Sequence, residues 1–179
     1  MKDERIVTLV KRGEKERYGV VVERYEGALG RYIGHLINQR GEEVEDLVQE
    51  TFIRAYENLE GFEEGKKFSS WIYRIAHNLA VDYMKKKKVA TEGMGEEEWR
   101  EIEDGIDIEK EMIEEGEKKI LVEAVKRLER GHKEMLLLFY VEEKSYDEIG
   151  EILRISKSNV GVRLKRAKEK LKILLDNKV

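Results

Sequence analysis

The sequence has no cysteine and no proline, and only three histidines among its 179 residues. Without cysteine the chain has no disulfide, no thiolate metal ligand and no thiol nucleophile, and three widely separated histidines do not suggest a metal cluster. The Asp, His and Ser residues also lack the spacing of a catalytic triad or a carboxylate pair. We therefore expect no catalytic residues, no metal and no cofactor, and an enzyme is the least favoured class.

Long apolar runs are missing too, since none approaches the roughly 20 residues that a membrane-spanning helix needs. The chain begins Met-Lys-Asp-Glu-Arg, which places acids where a signal peptide would be apolar. A length of 179 residues excludes a large multidomain enzyme and fits one ordinary domain or two small ones. We expect a cytoplasmic protein without membrane insertion.

Charge is abundant, at 41% of residues, and it falls into three blocks. Residues 1–90 carry 17 basic and 16 acidic side chains, residues 91–118 carry 3 and 13, and residues 119–179 carry 15 and 10. The middle block is polar, self-repelling and contains glycine, so it predicts a flexible acidic linker between two small domains.

Basic residues concentrate at Lys85–Lys88 and along the last helix. Solvated surface lysines would explain either group alone, but the two together favour a polyanionic partner.

Apolar residues recur at helical spacing almost throughout, which predicts an all-α fold. The predicted helices cover about residues 3–11, 15–38, 43–60, 68–86, 108–130, 132–142, 145–153 and 157–175.

One residue breaks the pattern of the helix at 43–60. Its predicted core stripe comprises Val44, Leu47, Val48, Phe52, Ala55, Tyr56 and Leu59. At about 100° per residue, Ile53 falls on the opposite face. Acids and an amide surround it: Asp46, Gln49, Glu50 and Glu57. An apolar anchor in a polar rim is typical of a small docking surface, and a lone exposed isoleucine without a role is the alternative.

The segment from Phe62 to Asn78 joins a glycine-bracketed loop to a helix. On one flank of that helix Trp71, Arg74 and Asn78 align, offering a ring for stacking, a cation for phosphate and an amide for base edges. These groups would suit the binding of unpaired bases. Core packing of Trp71 and a backbone hydrogen bond from Asn78 explain the pattern equally well.

The C-terminal segment predicts a helix-turn-helix. Ser145 stands three residues before Glu148, the spacing of a capping box that begins a short helix. After a turn, Ser156 caps a longer helix whose outer face is almost wholly basic. In a helix-turn-helix the second helix enters the major groove, whereas a plain helical hairpin would have no such role.

Three stretches together resemble extracytoplasmic-function sigma factors of bacterial RNA polymerase. They run from Asp46 to Tyr56, from Phe68 to Asp82, and from Ser145 to Ala167. The resemblance covers nearly the whole chain except the linker. It implies a sigma region 2 domain at 1–90, an acidic linker at 91–118 and a sigma region 4 helix-turn-helix domain at 119–179.

The resemblance also implies roles for the singled-out residues. The first motif would bind the polymerase core, through Asp46, Gln49, Glu50, Ile53 and Glu57. The loop and the helix after it would open the minus-ten promoter element and capture a flipped base, through Phe62, Lys66, Lys67, Trp71, Arg74, Asn78, Lys85 and Lys86. The last helices would read the minus-thirty-five element, through Ser156, Lys157, Ser158, Asn159, Arg163 and Arg166.

The implied partners are the clamp helices and flap of the polymerase core, promoter DNA and a sequestering anti-sigma factor. The free chain would be monomeric, and the holoenzyme would associate with the nucleoid. The linker would thread the core enzyme near the RNA path, so that neutralising Glu96, Glu97 and Glu98 alters early transcription. Glu63 and Gly161 stand where relatives often have basic residues, which bears on base preference.

Two rival functions remain open from the sequence. An autonomous regulator would use residues 1–90 to dimerise or to sense a signal. It would bind duplex DNA tightly without polymerase. A helical adaptor with no nucleic-acid role would tolerate neutralisation of Lys85–Lys88 and Arg163.

Overall fold

The computed structural model describes residues 1–63, 65–91 and 117–177. Within these ranges no residue forms a β-strand, and the predicted all-α class is confirmed. The predicted linker at 91–118 lies outside the described residues except at its two ends. Across the same ranges no helix combines the length and the apolar character that a membrane span requires.

The N-terminal part is built from four helices: α1 (Asp3–Lys11), α2 (Tyr18–Ile37), α3 (Glu42–Glu57) and α4 (Phe68–Thr91). Short 3₁₀ turns at Lys15–Arg17 and Leu59–Gly61 precede α2 and follow α3. Helices α2, α3 and α4 pack on one another pairwise. Their buried faces form the core, which includes Leu29, Ile33, Val48, Phe52, Ile72 and Ala76.

The C-terminal part contains α5 (Glu117–Lys126), α6 (Arg130–Leu136), α7 (Tyr146–Leu153) and α8 (Lys157–Asp176). A π-helical turn, Leu137–Val141, continues α6. The predicted capping box is confirmed, because the Ser145 hydroxyl accepts from the Glu148 amide and the Glu148 carboxylate accepts from the Ser145 amide. The Ser156 hydroxyl accepts from the Asn159 amide and caps α8.

Three helix boundaries differ from the predicted ones. The helix predicted to run to about 130 ends at Lys126, and residues 127–129 connect it to α6. Helix α4 continues to Thr91 rather than ending near 86, because Lys87, Lys88 and Val89 contain no helix breaker. Lys85–Lys88 is therefore helical. The helix predicted at 132–142 is divided into α6 and the π turn, since the Glu142 amide bonds to the Leu137 carbonyl, five residues back.

The two parts of the chain pack directly against each other. Helix α7 lies along α4, and α6 contacts α2. The C-terminal helices therefore lie beside the helix that carries most of the predicted minus-ten residues.

Candidate functional site

Helix α3 presents the face that the sequence predicted as a docking surface. The Ile53 side chain is 51% exposed. The polar residues predicted around it are solvent-accessible: Asp46, Gln49, Glu50 and Glu57. Glu50 accepts a hydrogen bond from Arg54 at 2.7 Å, an exposed i,i+4 ion pair of small energetic value. The opposite face is buried and holds α3 in the core, through Val44, Val48, Phe52 and Ala55.

Tyr56 was predicted in the core stripe, but it is 38% exposed. Its ring packs edge-on against Tyr18, with centroids 5.0 Å apart. The Tyr18 hydroxyl donates to the Phe52 carbonyl at 2.7 Å, and burial raises the pKa of Tyr18 well above its usual value, which keeps the hydroxyl protonated. Because Tyr56 follows Ile53 by three residues, the two side chains are neighbours on the helix surface. Tyr56 therefore widens the apolar part of the predicted docking face.

Three aromatic rings form a cluster where the loop meets α4. Phe62, Phe68 and Trp71 lie with ring centroids 5.5 to 5.6 Å apart, within the range of favourable ring pairs. Phe62 is 5% exposed and Phe68 is fully buried, whereas Trp71 is half-buried. The predicted DNA-contacting residue Phe62 is thus part of the core, and Trp71 lies at the edge of that core.

A cavity of about 80 Å³ lies beside this cluster. Its lining includes Lys66, Lys67, Ser70, Trp71 and Arg74. The Ser70 hydroxyl is buried and has no hydrogen-bond partner within the described part of the chain. Leaving such a group unpaired costs about 1–3 kcal/mol. The cavity is therefore lined by a partly exposed aromatic side chain, by cations and by the carboxylates of Glu63 and Glu151.

The sequence did not single out Ser70, because only its position relative to Arg74 could have pointed to it. It precedes Arg74 by four residues, which places both side chains on one face of α4. A serine there looks like an ordinary first-turn residue, and only its burial without a partner distinguishes it.

The remaining predicted residues of α4 lie farther along the helix. Asn78 is exposed and comes seven residues after Trp71, or about 10 Å along the axis at about 1.5 Å per residue. It is absent from the described lining of the cavity. Lys85 and Lys86 are exposed near the C-terminal end of α4. The structure thus does not bring Asn78 together with Trp71 and Arg74 in one pocket.

Helix α8 presents a basic surface. Its buried stripe, Val160, Leu164 and Ala167, packs into the C-terminal core. The predicted base- and phosphate-contacting residues are all exposed: Ser156, Lys157, Ser158, Asn159, Arg163 and Arg166. Lys157 bonds to Asp147 of α7 at 2.7 Å, which ties the first turn of α8 to the preceding helix.

Acids of α7 pair with cations of the loop before α4. Lys67 lies 3.3 Å from Glu148, and Lys66 lies 3.5 Å from Glu151. Partial burial acts to raise the pKa of Glu148, but hydrogen bonds from Ser145 and Lys67 outweigh it and leave the pKa below its usual value. Glu148 is therefore ionised at neutral pH.

Comparisons with known proteins give a consistent result. Residues 21–89 match the family description Sigma-70 region 2, and residues 118–171 match Sigma-70, region 4. The chain is 31% identical to the ECF RNA polymerase sigma factor SigW of Bacillus subtilis over 172 residues, 91% of each chain. It is 29% identical to the ECF RNA polymerase sigma-E factor of Haemophilus influenzae, over 99% of this chain and 95% of the relative.

Two solved structures have the same fold. CnrH, in complex with the cytosolic domain of CnrY, superposes with a TM-score of 0.72 at 22% identity, over 99% of each chain. The sigma factor RpoE of Bartonella quintana, in complex with the anti-sigma factor NepR, superposes with a TM-score of 0.65 at 22% identity, over 89% of this chain and 96% of RpoE.

Proposed function

Because this chain belongs to the extracytoplasmic-function (ECF) sigma factor family, we propose that it binds RNA polymerase core through α3 and promoter DNA through α4 and α8. The observation that carries the proposal is Ile53, a half-exposed apolar residue opposite the buried stripe of α3. A central apolar anchor within a polar rim is the arrangement of a binding hot spot. The expected contact is with the clamp helices of the core, while the C-terminal domain contacts the flap.

The cavity beside Trp71 and Arg74 is the proposed binding site for an unpaired base of the minus-ten element. The half-buried Trp71 ring would offer a surface for stacking, and the buried Ser70 hydroxyl, unpaired within the described residues, would gain a hydrogen bond once a base displaces the side chains that cover it. These interactions would offset the cost of unstacking a base. Lys66, Lys67, Lys85 and Lys86 would contact phosphates on either side, and Asn78 would contact a nucleotide farther along α4.

Helix α8 is the proposed reader of the minus-thirty-five element. A basic exposed face above a buried stripe is the arrangement by which a recognition helix lies in the major groove. Arg163 and Arg166 would contact phosphates or base edges, while Ser158 and Asn159 in the first turn approach the bases. No chemical step is required, so the function is binding rather than catalysis.

The partners expected from the family complete this proposal. A sequestering anti-sigma factor would cover the polymerase-binding surfaces, and the acidic residues of the linker would lie near the RNA path of the holoenzyme. The free chain would be a cytoplasmic monomer that reaches the nucleoid with polymerase.

The proposal is tested by run-off transcription with bacterial core polymerase on a pool of promoter fragments. We expect transcripts that depend on the chain, and Ile53→Asp should reduce them roughly tenfold or more, as expected for loss of a central anchor. Val20→Asp is the matched control, because Val20 is an exposed apolar residue of α2, at 38%, outside the docking face.

Two results would contradict the proposal. Equal amounts of transcript with the Ile53→Asp and Val20→Asp proteins would show that the face around Ile53 does not bind the polymerase core. The second result is retardation of duplex DNA by the chain alone in an electrophoretic mobility assay, while no transcripts form in the presence of polymerase. That combination would favour an autonomous regulator.

A further inference from the structure

The loop between α3 and α4 contains three residues of the proposed minus-ten site, Phe62, Lys66 and Lys67. Its described residues are 58–63 and 65–67, and both lysines are exposed. The backbone hydrogen bonds of the loop are short-range, such as the bond from the Lys66 amide to the Glu63 carbonyl at 3.3 Å. An exposed loop with such local bonds is mobile unless other elements hold it.

Helix α1 contacts both ends of this loop. At the end of the loop, Glu4 Oε1 accepts a hydrogen bond from the Phe68 amide at 3.1 Å. Near its beginning, Lys11 Nζ donates to the carbonyls of Glu60 at 3.2 Å and Phe62 at 2.9 Å. The sequence predicted α1 as a helix without a role, and the match to Sigma-70 region 2 begins only at residue 21.

The charge of each side chain suits the backbone groups that it contacts. Phe68 is the first residue of α4, and the first four amides of a helix have no partner within the helix. A carboxylate at this position also interacts favourably with the positive end of the helix dipole, and a cation does so with carbonyls at the end of a helical turn. Glu4 and Lys11 therefore carry the charges that the two ends of the loop require.

The two side chains keep a fixed separation because they belong to one helix. Seven residues, about two turns, separate Glu4 from Lys11, which places both on one side of α1 about 10 Å apart along its axis. Helix α1 is itself attached to α2, where Asp3 accepts hydrogen bonds from Arg24 at 2.6 Å and from Tyr25 at 2.7 Å. A helix attached to the core thus holds the beginning of the loop relative to its end.

The same two ends of the loop border the proposed site for an unpaired base. Phe62 and Phe68, whose backbone groups bond to α1, both pack against the Trp71 ring. Lys66 and Lys67 lie between them in the sequence and line the cavity beside Trp71. A shift of either end would therefore move the groups that are proposed to contact the base.

We propose that α1 sets the conformation of this loop and thereby the base preference at the captured position, with Glu4 and Lys11 as positioning residues. The proposal rests on the proposed function, because the loop borders the proposed site for an unpaired base. A loop held in one conformation loses less entropy when a base binds. It also discriminates more strongly, because a wrong base leaves polar groups unpaired, whereas a mobile loop adjusts to several bases.

The contact with Glu4 is tested without polymerase or DNA, by hydrogen exchange of the Phe68 amide measured with NMR. We expect Glu4→Ala to speed this exchange about fivefold to tenfold, as for the loss of one hydrogen bond. Glu4→Gln keeps an acceptor oxygen and should retain most of the protection. Equal exchange rates in the unaltered and Glu4→Ala proteins would overturn this part of the proposal.

The effect on base preference is tested by run-off transcription with core polymerase from an active promoter in which each minus-ten position carries each of the four bases in turn. Glu4→Ala and Lys11→Met should each lower the ratio of transcripts between the preferred base and the others about threefold to tenfold at one position. Dependence on the minus-thirty-five element should not change. Lys11→Arg keeps a cation with several N–H donors and should restore most of the preference.

Two control variants separate positioning from charge and from stability. Lys15→Met removes the same charge from an exposed residue just beyond α1. Val10→Ala truncates a buried residue of α1, at 6% exposure, which destabilises the helix but removes no hydrogen bond to the loop. Both variants should keep the base preference of the unaltered chain.

Two results would overturn the role in base preference. One is an unchanged preference in both Glu4→Ala and Lys11→Met. The other is a loss with Val10→Ala as large as with Lys11→Met, which would mean that α1 acts through stability alone. Failure of the proposed function would appear differently, as absent transcripts with the unaltered chain.

Discussion

At the scale of single residues, Ser70 combines a cost to stability with a proposed role in binding. Its hydroxyl is buried and has no hydrogen-bond partner within the described part of the chain, and it lines the cavity beside Trp71. We expect Ser70→Ala to stabilise the protein by about 1 kcal/mol, since an unpaired buried hydroxyl is removed. The same change should reduce strand opening in the holoenzyme roughly threefold to tenfold, the value of one hydrogen bond of about 1 kcal/mol.

The two effects of Ser70→Ala are measured by thermal unfolding and by permanganate reactivity of unpaired thymines at the promoter. Ser69→Ala is the control for stability, because the neighbouring Ser69 hydroxyl is already within hydrogen-bonding distance of Glu148, at 3.3 Å. It should not stabilise the protein. A Ser70→Ala protein that melts at a higher temperature but opens promoters normally would show that the hydroxyl has no part in base capture.

The sequence predicted the exposure of a side chain correctly where its position around its own helix determines that exposure. Ile53 is exposed as the 100° periodicity predicts. Tyr56 and Phe62 differ from their predicted environments because rings from other segments pack on them: Tyr18 lies against Tyr56, and Phe68 and Trp71 enclose Phe62. Helical periodicity contains no information about such partners.

At the scale of elements, the turn between α7 and α8 depends on Gly150. A Cβ at this position would lie 2.8 Å from the Ile155 carbonyl oxygen, a backbone atom that cannot move alone. Gly150→Ala should therefore destabilise the helix-turn-helix by about 1–3 kcal/mol. Gly161 is the matched control on α8, where the nearest atom to an added Cβ is Tyr146 Cε2 at 3.6 Å, and Gly161→Ala should stabilise by up to about 1 kcal/mol.

Urea unfolding of the two glycine variants gives the comparison directly. We expect the urea concentration at the midpoint to fall for Gly150→Ala and to rise for Gly161→Ala. Equal shifts would mean that the turn adapts to a Cβ at position 150.

The sequence predicted elements most accurately where side chains define their ends. The capping box begins α7 and Ser156 begins α8, as their spacings indicate. The continuation of α4 past residue 86 and the π turn after α6 were missed, because residues 86–91 and 137–141 contain no glycine or proline to mark a boundary. Helix propensity and tertiary packing determine these boundaries, and no single residue of the sequence marks where either changes.

At the scale of the whole molecule, the sequence predicted two helical domains but not their contact. Glu134 of α6 lies 2.7 Å from His77 Nδ1, 57 residues away, and accepts a hydrogen bond from Tyr32, 102 residues away. The sequence does not distinguish Glu134 from an exposed acidic residue, because 41% of the residues of the chain are charged. The packing of α6 on α2 and of α7 along α4 brings these side chains together, and that packing depends on the surfaces of two already folded domains.

The length of the chain between α4 and α5 sets the largest separation that the domains can reach. Residues 92–116 span at most about 85 Å when fully extended, at about 3.3–3.6 Å per residue. The minus-ten and minus-thirty-five elements are about 25 base pairs apart, or roughly 85 Å at about 3.4 Å per base pair, which is comparable with this limit. Deleting residues 96–105 would shorten the reach by about 35 Å. We expect the deletion to abolish transcription from promoters that need both elements.

Replacing residues 96–105 with ten Gly and Ser residues separates the effect of length from that of charge, since this exchange keeps the reach but removes Glu96, Glu97 and Glu98. Recovery of transcripts by the exchange, in run-off assays beside the deletion, would show that reach is what the promoter requires. Normal amounts of transcript from the deleted chain would contradict the separation of the domains on DNA. If the chain with the Gly and Ser segment binds the promoter with polymerase but gives altered abortive transcripts, the acids of this segment have a role in early transcription, as the family resemblance implies.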